Sequence, residues 1–149
     1  MAMTANSIYA SIASIPYTAG MGITIDEAAV GNTAMTLADA EENQNLVGIV
    51  HAGALFTFGE TVAGISIGFD TLEIAFPLAR NAEIRYLRPA IGPISARAKV
   101  PDAELAEFQD QLKRERRAEI SVDVRLSNST GEKVAEMVVH YSFRPTERK

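Results

Sequence analysis

Residues 52–68 read AGALFTFGETVAGISIG, from Ala52 to Gly68, apolar on nearly every face and interrupted by Gly53, Gly59, Gly64 and Gly68. A helix that is apolar all round has to be buried all round. Glycine costs a helix interior roughly 1 kcal/mol relative to alanine, so four glycines point to other backbone coming close. A sheet wrapped around this helix meets both demands. The longer apolar run, Leu46 to Phe69, contains His51, Glu60 and several glycines, which argues against a membrane span.

Working outward, the flanking sequence supplies that sheet. Ile23-Thr24-Ile25 and Thr33 to Leu37 are β-prone runs separated by Gly31-Asn32, a dipeptide suited to a tight hairpin. Glu41 to Gln44 forms a polar loop into the helix. Beyond it the chain alternates with period two, as half-buried antiparallel strands do. Ala82, Ile84 and Tyr86 face away from Asn81, Glu83 and Arg85, and Ile94, Ala96, Ala98 and Val100 alternate with Ser95, Arg97 and Lys99. Asp102 to Arg116 carries a narrow stripe of Leu105, Phe108 and Leu112 amid charges, and is expected to be a surface helix covering a sheet edge. Ile120, Val122, Val124 and Leu126 form another strand, Asn128 to Gly131 a turn, and Ala135, Met137, Val139, Tyr141 and Phe143 the last strand. Near the start, Asn6 to Ile15 reads as a short helix stopped by Pro16, serving as a lid or packing element. The predicted architecture is α+β: a curved antiparallel sheet around one long helix, with a short N-terminal helix and a helical insert before the last two strands. A single domain spans residues 1–149.

Composition narrows the function. The apolar fraction of 47% and charged fraction of 22% suit an ordinary globular protein, and a net charge of −5 argues against nucleic-acid binding. With no cysteine there is no disulfide, no thiolate nucleophile and no cysteine-rich zinc site. No metal and no cofactor are expected. No basic stretch precedes an apolar one at the N-terminus, so a cytoplasmic location is the expectation.

Within the helix, Glu60 is the residue hardest to treat as packing, because a carboxylate among apolar side chains costs several kcal/mol unless it is paired or hydrogen-bonded. His51 lies at the presumed helix start, where free N–H groups and the helix dipole can polarise a carbonyl oxygen. Taken alone it is as readily a cap, and Asn45 alone is a loop residue. A helix rises about 1.5 Å per residue, which puts His51 and Glu60 on the order of 13 Å apart along the axis. One reacting carbon cannot meet both within a chain. Two such helices packed antiparallel across a homodimer would bring the start of one beside the carboxylate of the other, twice by symmetry.

The run Asn45-x-x-Gly48-x-x-His51-Ala52-Gly53 followed by Glu60 resembles the PaaI-like branch of the hotdog-fold thioesterases, whose pattern is N-x-x-G-x-x-H-G-G with Asp or Glu on the helix. Tyr86-Leu87-Arg88-Pro89-Ala90 is similar to a strand end common in these families, and the resemblance covers about Gly20 to Phe143. It implies the hotdog fold and hydrolysis of acyl-CoA or a related thioester, coenzyme A being part of the substrate. The Ala52 amide would donate to the thioester carbonyl with help from the Asn45 side chain. Glu60 of the partner subunit would act as general base or nucleophile, and His51 would orient the loop or the thioester. Gly53, Thr61, Arg88 and Arg80 would contact substrate. Arg80, Arg85, Arg88, Arg97 and Lys99 make a cationic stretch opposed locally only by Glu83, with Arg88 the best candidate for coenzyme A phosphates and Arg97 and Lys99 read as a solvated strand face. The sequence departs from the family in two places: Ala52 replaces a glycine, and Pro77-Leu78-Ala79-Arg80 lacks the water-holding hydroxyl of many relatives, for which Thr61 or Thr57 would have to substitute.

Two other functions fit the same fold. One is a non-catalytic acyl-CoA-binding module, favoured by the missing hydroxyl. The other is a β-hydroxyacyl-thioester dehydratase or enoyl hydratase, disfavoured by the absence of an H-F-P-type loop and a D-x-x-x-x-H arrangement. Acyl length would depend on Phe56, Phe58, Phe69, Phe76 and the N-terminal segment. Val134 and Val138, expected to be exposed, would permit dimers to pair further. His140 is expected to point outward, without a role.

Overall fold

The structure, a computed structural model, describes residues 5–68 and 71–146. In chain order the elements are α1 (Ala5–Ser14), β1 (Ile23–Ala29), β2 (Asn32–Leu37), a 3-10 turn (Glu41–Asn43), α2 (Ala52–Gly68), β3 (Ala75–Tyr86), β4 (Ile94–Lys99), α3 (Asp102–Glu115), β5 (Ala118–Ser127) and β6 (Lys133–Pro145). The six strands form one sheet in the order β1-β2-β4-β5-β6-β3, every neighbouring pair antiparallel. This is the α+β hotdog arrangement, with α2 packed on the inner face of the sheet.

The helix lies close because its glycines let it. A Cβ at Gly59 would come within 2.8 Å of Met137 Sδ on β6, so the bare backbone is what allows the helix to rest there. Phe58 and Val62 on the same helix have no exposed surface, and they meet the inward rows of the sheet, Met35 and Leu37 on β2, Val122 and Leu126 on β5 and Val139 on β6. Phe58 therefore fills the centre of the core. Phe58→Ala is expected to destabilise the fold by about 3–5 kcal/mol, read as a lower urea midpoint at constant slope.

Alternation explains β4 and β5, whose residues are buried and exposed in strict turn. Four expectations are corrected. The hairpin turn is Val30-Gly31, not Gly31-Asn32: Ala29 pairs with Asn32, and Gly31 supplies the positive φ of 77° at the second central position. The strand expected from Asn81 begins at Ala75 and carries Pro77, which is tolerated because β3 is an edge strand. Helix α3 packs on β5, an interior strand, rather than covering a sheet edge; Phe108 meets Phe143 edge to face at a centroid distance of 4.9 Å. Val134 is fully buried, because the segment after β3 passes over it and the Leu87 amide donates to its carbonyl at 2.8 Å. Of the apolar pair at positions 134 and 138, only Val138 is partly exposed.

Candidate active site

The start of α2 is built by the loop before it. Asn45 Oδ1 accepts from the Val47 amide at 3.0 Å and from the Ile49 amide at 3.3 Å, tying the loop around Gly48, whose φ is 78°. The side-chain amide of Asn45 has no partner among the described residues, so its donors are available. The His51 amide donates to the Asn43 carbonyl at 2.8 Å, while His51 Nδ1 accepts from the Gly53 amide at 2.8 Å and caps the helix. An Nδ1 that accepts places the ring proton on Nε2. Gly53 thus spends its N–H on the cap. The Ala52 N–H, by contrast, meets no acceptor among the described residues. The Ala52 carbonyl is held by the Tyr86 hydroxyl at 3.0 Å. Asn45, Ala52, Tyr86 and Arg88 line a recess of about 370 Å³ at this end of the helix.

Glu60 faces a different cavity. It is half-buried, and together with Phe56, Thr61, Ala79 and Tyr141 it lines a space of about 690 Å³ closed partly by Ser11 and Ile15 of the α1 region. The Tyr141 hydroxyl lies 2.9 Å from Glu60 Oε1 and 3.0 Å from the Glu60 carbonyl. Sequence reasoning placed Tyr141 inward on the last strand and gave it no part in the site. Thr61 cannot offer its proton to a ligand without losing a bond, since its hydroxyl donates to the Thr57 carbonyl at 2.7 Å. No wall residue of the Glu60 cavity is shared with the recess at the helix start, so the two halves stand apart in one chain.

Burial, and then the neighbouring Glu60 carboxylate, push the Tyr141 phenol far above its ordinary range, which keeps it a neutral donor. The unfolded chain ionises tyrosine near pH 10, whereas folded Tyr141 keeps its proton, so stability is intact below about pH 10 and falls as pH rises beyond it. Urea midpoints at about pH 9 and pH 11 should therefore differ by less in Tyr141→Phe than in the unaltered protein.

The cations are distributed rather than pooled. Arg85 pairs with Glu136 at 3.0 Å, Arg97 with Glu27 at 2.9 Å, and Arg88 lies 3.7 Å from Glu132 while donating to the Lys133 carbonyl. The stretch that looked opposed only by Glu83 thus meets carboxylates from β1, β6 and the preceding turn. Arg80 and Lys99 make no ion pair among the described residues. Arg80 is the extra residue of a bulge between Ala79 and Asn81, on the side of the cleft bordered by α3 rather than in the Glu60 cavity. Of the aromatic residues considered for acyl length, Phe56 lines the Glu60 cavity and Phe58 is core; Phe76 is exposed outside the cavity lining, and Phe69 lies outside the described residues. His140 is exposed on the outer face and bonded to Ser121.

Residues 6–142 match a family described as a domain of unknown function, DUF4442. The chain belongs to the DUF4442 family. No curated protein matches it in sequence. Among solved structures, a Pseudomonas aeruginosa protein provisionally described as a thioesterase is similar over 98% of this chain and 99% of its own, with a TM-score of 0.83 and 23% identity. A Shewanella oneidensis protein, also provisionally named a thioesterase, gives a TM-score of 0.80 at 23% identity over 94% of this chain and 96% of its own. The Escherichia coli PaaI protein of the phenylacetic acid degradation operon gives 0.67 at 17% identity over 93% and 90%. At these identities the likeness establishes the hotdog fold of this DUF4442 chain.

Proposed function

We propose that this protein hydrolyses acyl thioesters of the acyl-CoA class, as a homodimer whose two sites each join Glu60 of one subunit to the helix start of the other. The observation that carries this reading is the pairing of a half-buried carboxylate facing an apolar cavity with a helix N-terminus whose first amide is unspent. Each half lacks what the other has.

The chemistry follows from the parts. The Ala52 N–H and the Asn45 side-chain amide would donate to the thioester oxygen as it gains charge. Glu60 would take a proton from water as it attacks the carbonyl carbon, or would itself attack and form an anhydride that water then opens; either way the C–S bond breaks and the thiolate leaves, taking up a proton as the free thiol. His51 acts through the loop it caps. Arg88 stands at the mouth of the recess, suited to the phosphates of coenzyme A. The dimer is supported by apolar surface beside both halves: Leu46 is 103% and Val47 76% exposed next to the helix start, and Tyr17 is 80% exposed on the cavity side. Among the described residues no helix is long and apolar enough to cross a membrane. A cytoplasmic place fits an acyl-CoA substrate, and no cofactor is required.

The test offers a panel of acyl-CoAs and follows release of free thiol. Thiol release that depends on Glu60 supports the proposal. Tight acyl-CoA binding with no release would favour the non-catalytic module, and hydration of an enoyl thioester without release would favour the hydratase.

A further inference from the structure

We infer that Tyr141 positions the carboxylate of Glu60, supplying from the last strand the hydroxyl that the segment Pro77–Arg80 lacks. This rests on the hydrolase reading of Glu60 above. Ala79 on β3 and Tyr141 on β6 are direct cross-strand partners, so their side chains share one face, and both line the cavity with Glu60. Ala79 offers a methyl group there. The bulge at Arg80 begins immediately after it, where the strand changes its pairing frame. Tyr141, from the facing position, reaches Glu60 Oε1 at 2.9 Å.

Space for that contact comes from Gly64, one helical turn beyond Glu60. A Cβ at position 64 would sit 3.2 Å from the Tyr141 hydroxyl oxygen, tighter than a side-chain carbon normally tolerates, and in ordinary contact with Glu60 Oε1 at 3.9 Å. Glycine in a helix interior is unfavourable, and here it clears the hydroxyl. The geometry assigns one carboxylate oxygen to the phenol and leaves Oε2 for water or the acyl carbon. Because burial beside a carboxylate keeps the phenol protonated, Tyr141 gives a hydrogen bond and transfers no proton. It is a positioning residue.

The experiment compares thiol release by the full chain and four variants. Tyr141→Phe, which keeps the ring, is expected to lower kcat about tenfold with KM nearly unchanged. Ala79→Ser added to Tyr141→Phe returns a hydroxyl to the same face and should recover most of the loss. Gly64→Ala, whose methyl would crowd the Tyr141 hydroxyl, should fold and show the same loss of kcat. A Tyr141→Phe protein that folds with unchanged kcat overturns the proposal, as does a double variant no better than Tyr141→Phe alone. If Glu60→Gln hydrolyses as well as the unaltered protein, the hydrolase reading fails instead. The contact is then judged by a urea double-mutant cycle of Tyr141→Phe with Glu60→Ala, where coupling supports the pairing and strict additivity refutes it.

Discussion

Glu60→Gln is expected to lower kcat for thioester hydrolysis by about 10³-fold while leaving KM and the urea midpoint close to their starting values. The substitution is nearly isosteric. Its amide oxygen can still accept from the Tyr141 hydroxyl that lies 2.9 Å from Oε1, so the packing between α2 and β6 persists. What disappears is the charge, and with it the ability to take a proton from water or to attack the carbonyl. Such an interaction is realised only in the transition state, which is why the loss should fall on kcat rather than on KM. Steady-state thiol release on matched enzyme concentrations checks this. An equal loss in KM and none in kcat would mean that Glu60 merely binds.

Ala52→Pro should lower kcat by about 10²–10³-fold, the usual loss when one oxyanion donor is removed, with little loss of stability. Proline at the first position of a helix is well tolerated, because its missing N–H would have had no helical partner and its φ already suits the helix. His51, the residue before it, is the cap and not a helical residue, so the constraint proline places on its predecessor fits as well. In this chain the Ala52 N–H has no acceptor among the described residues, so its removal breaks no internal bond. Thermal melting and thiol release on the same sample separate the two effects. A variant that melts normally and turns over normally would mean that the Ala52 amide is not the donor.

Much of the fold was legible because its strongest signals are local. The helix Ala52–Gly68 falls on the all-round apolar run, and β4 and β5 follow the period-two pattern. The misjudged features depend on tertiary context. Val30-Gly31 and Gly31-Asn32 both place the glycine in a two-residue turn, and only strand pairing decides which is used. Pro77 reads as a break unless one knows that β3 lies at an edge. Val134 is buried by chain arriving from residues 87 and 88, which no pattern around position 134 announces.

The candidate site divides in the same way. Asn45, His51 and Ala52 belong to one loop and the helix start it leads into, and Glu60 to the middle of the same helix, so their spacing carries their geometry. Tyr141 approaches Glu60 from 81 residues away, and nothing beside it in sequence marks it out. Two weak signals were present: a glycine four residues after the glutamate, and an alanine where a hydroxyl is usual. The counter-ions of Arg85, Arg88 and Arg97 come from other strands and a turn, which is why the cationic stretch looked freer in sequence than it is in the fold.

The shared site is tested most directly by mixing subunits. Glu60→Ala and Ala52→Pro chains, each expected to be nearly inactive by itself, are unfolded together in equal amounts, refolded and assayed for thiol release. If each site takes Glu60 from one chain and the helix start from its partner, half of the randomly formed dimers are mixed and each mixed dimer holds one intact site, giving about a quarter of the unaltered activity. Activity no greater than the sum of the two parents would contradict a site built across two chains.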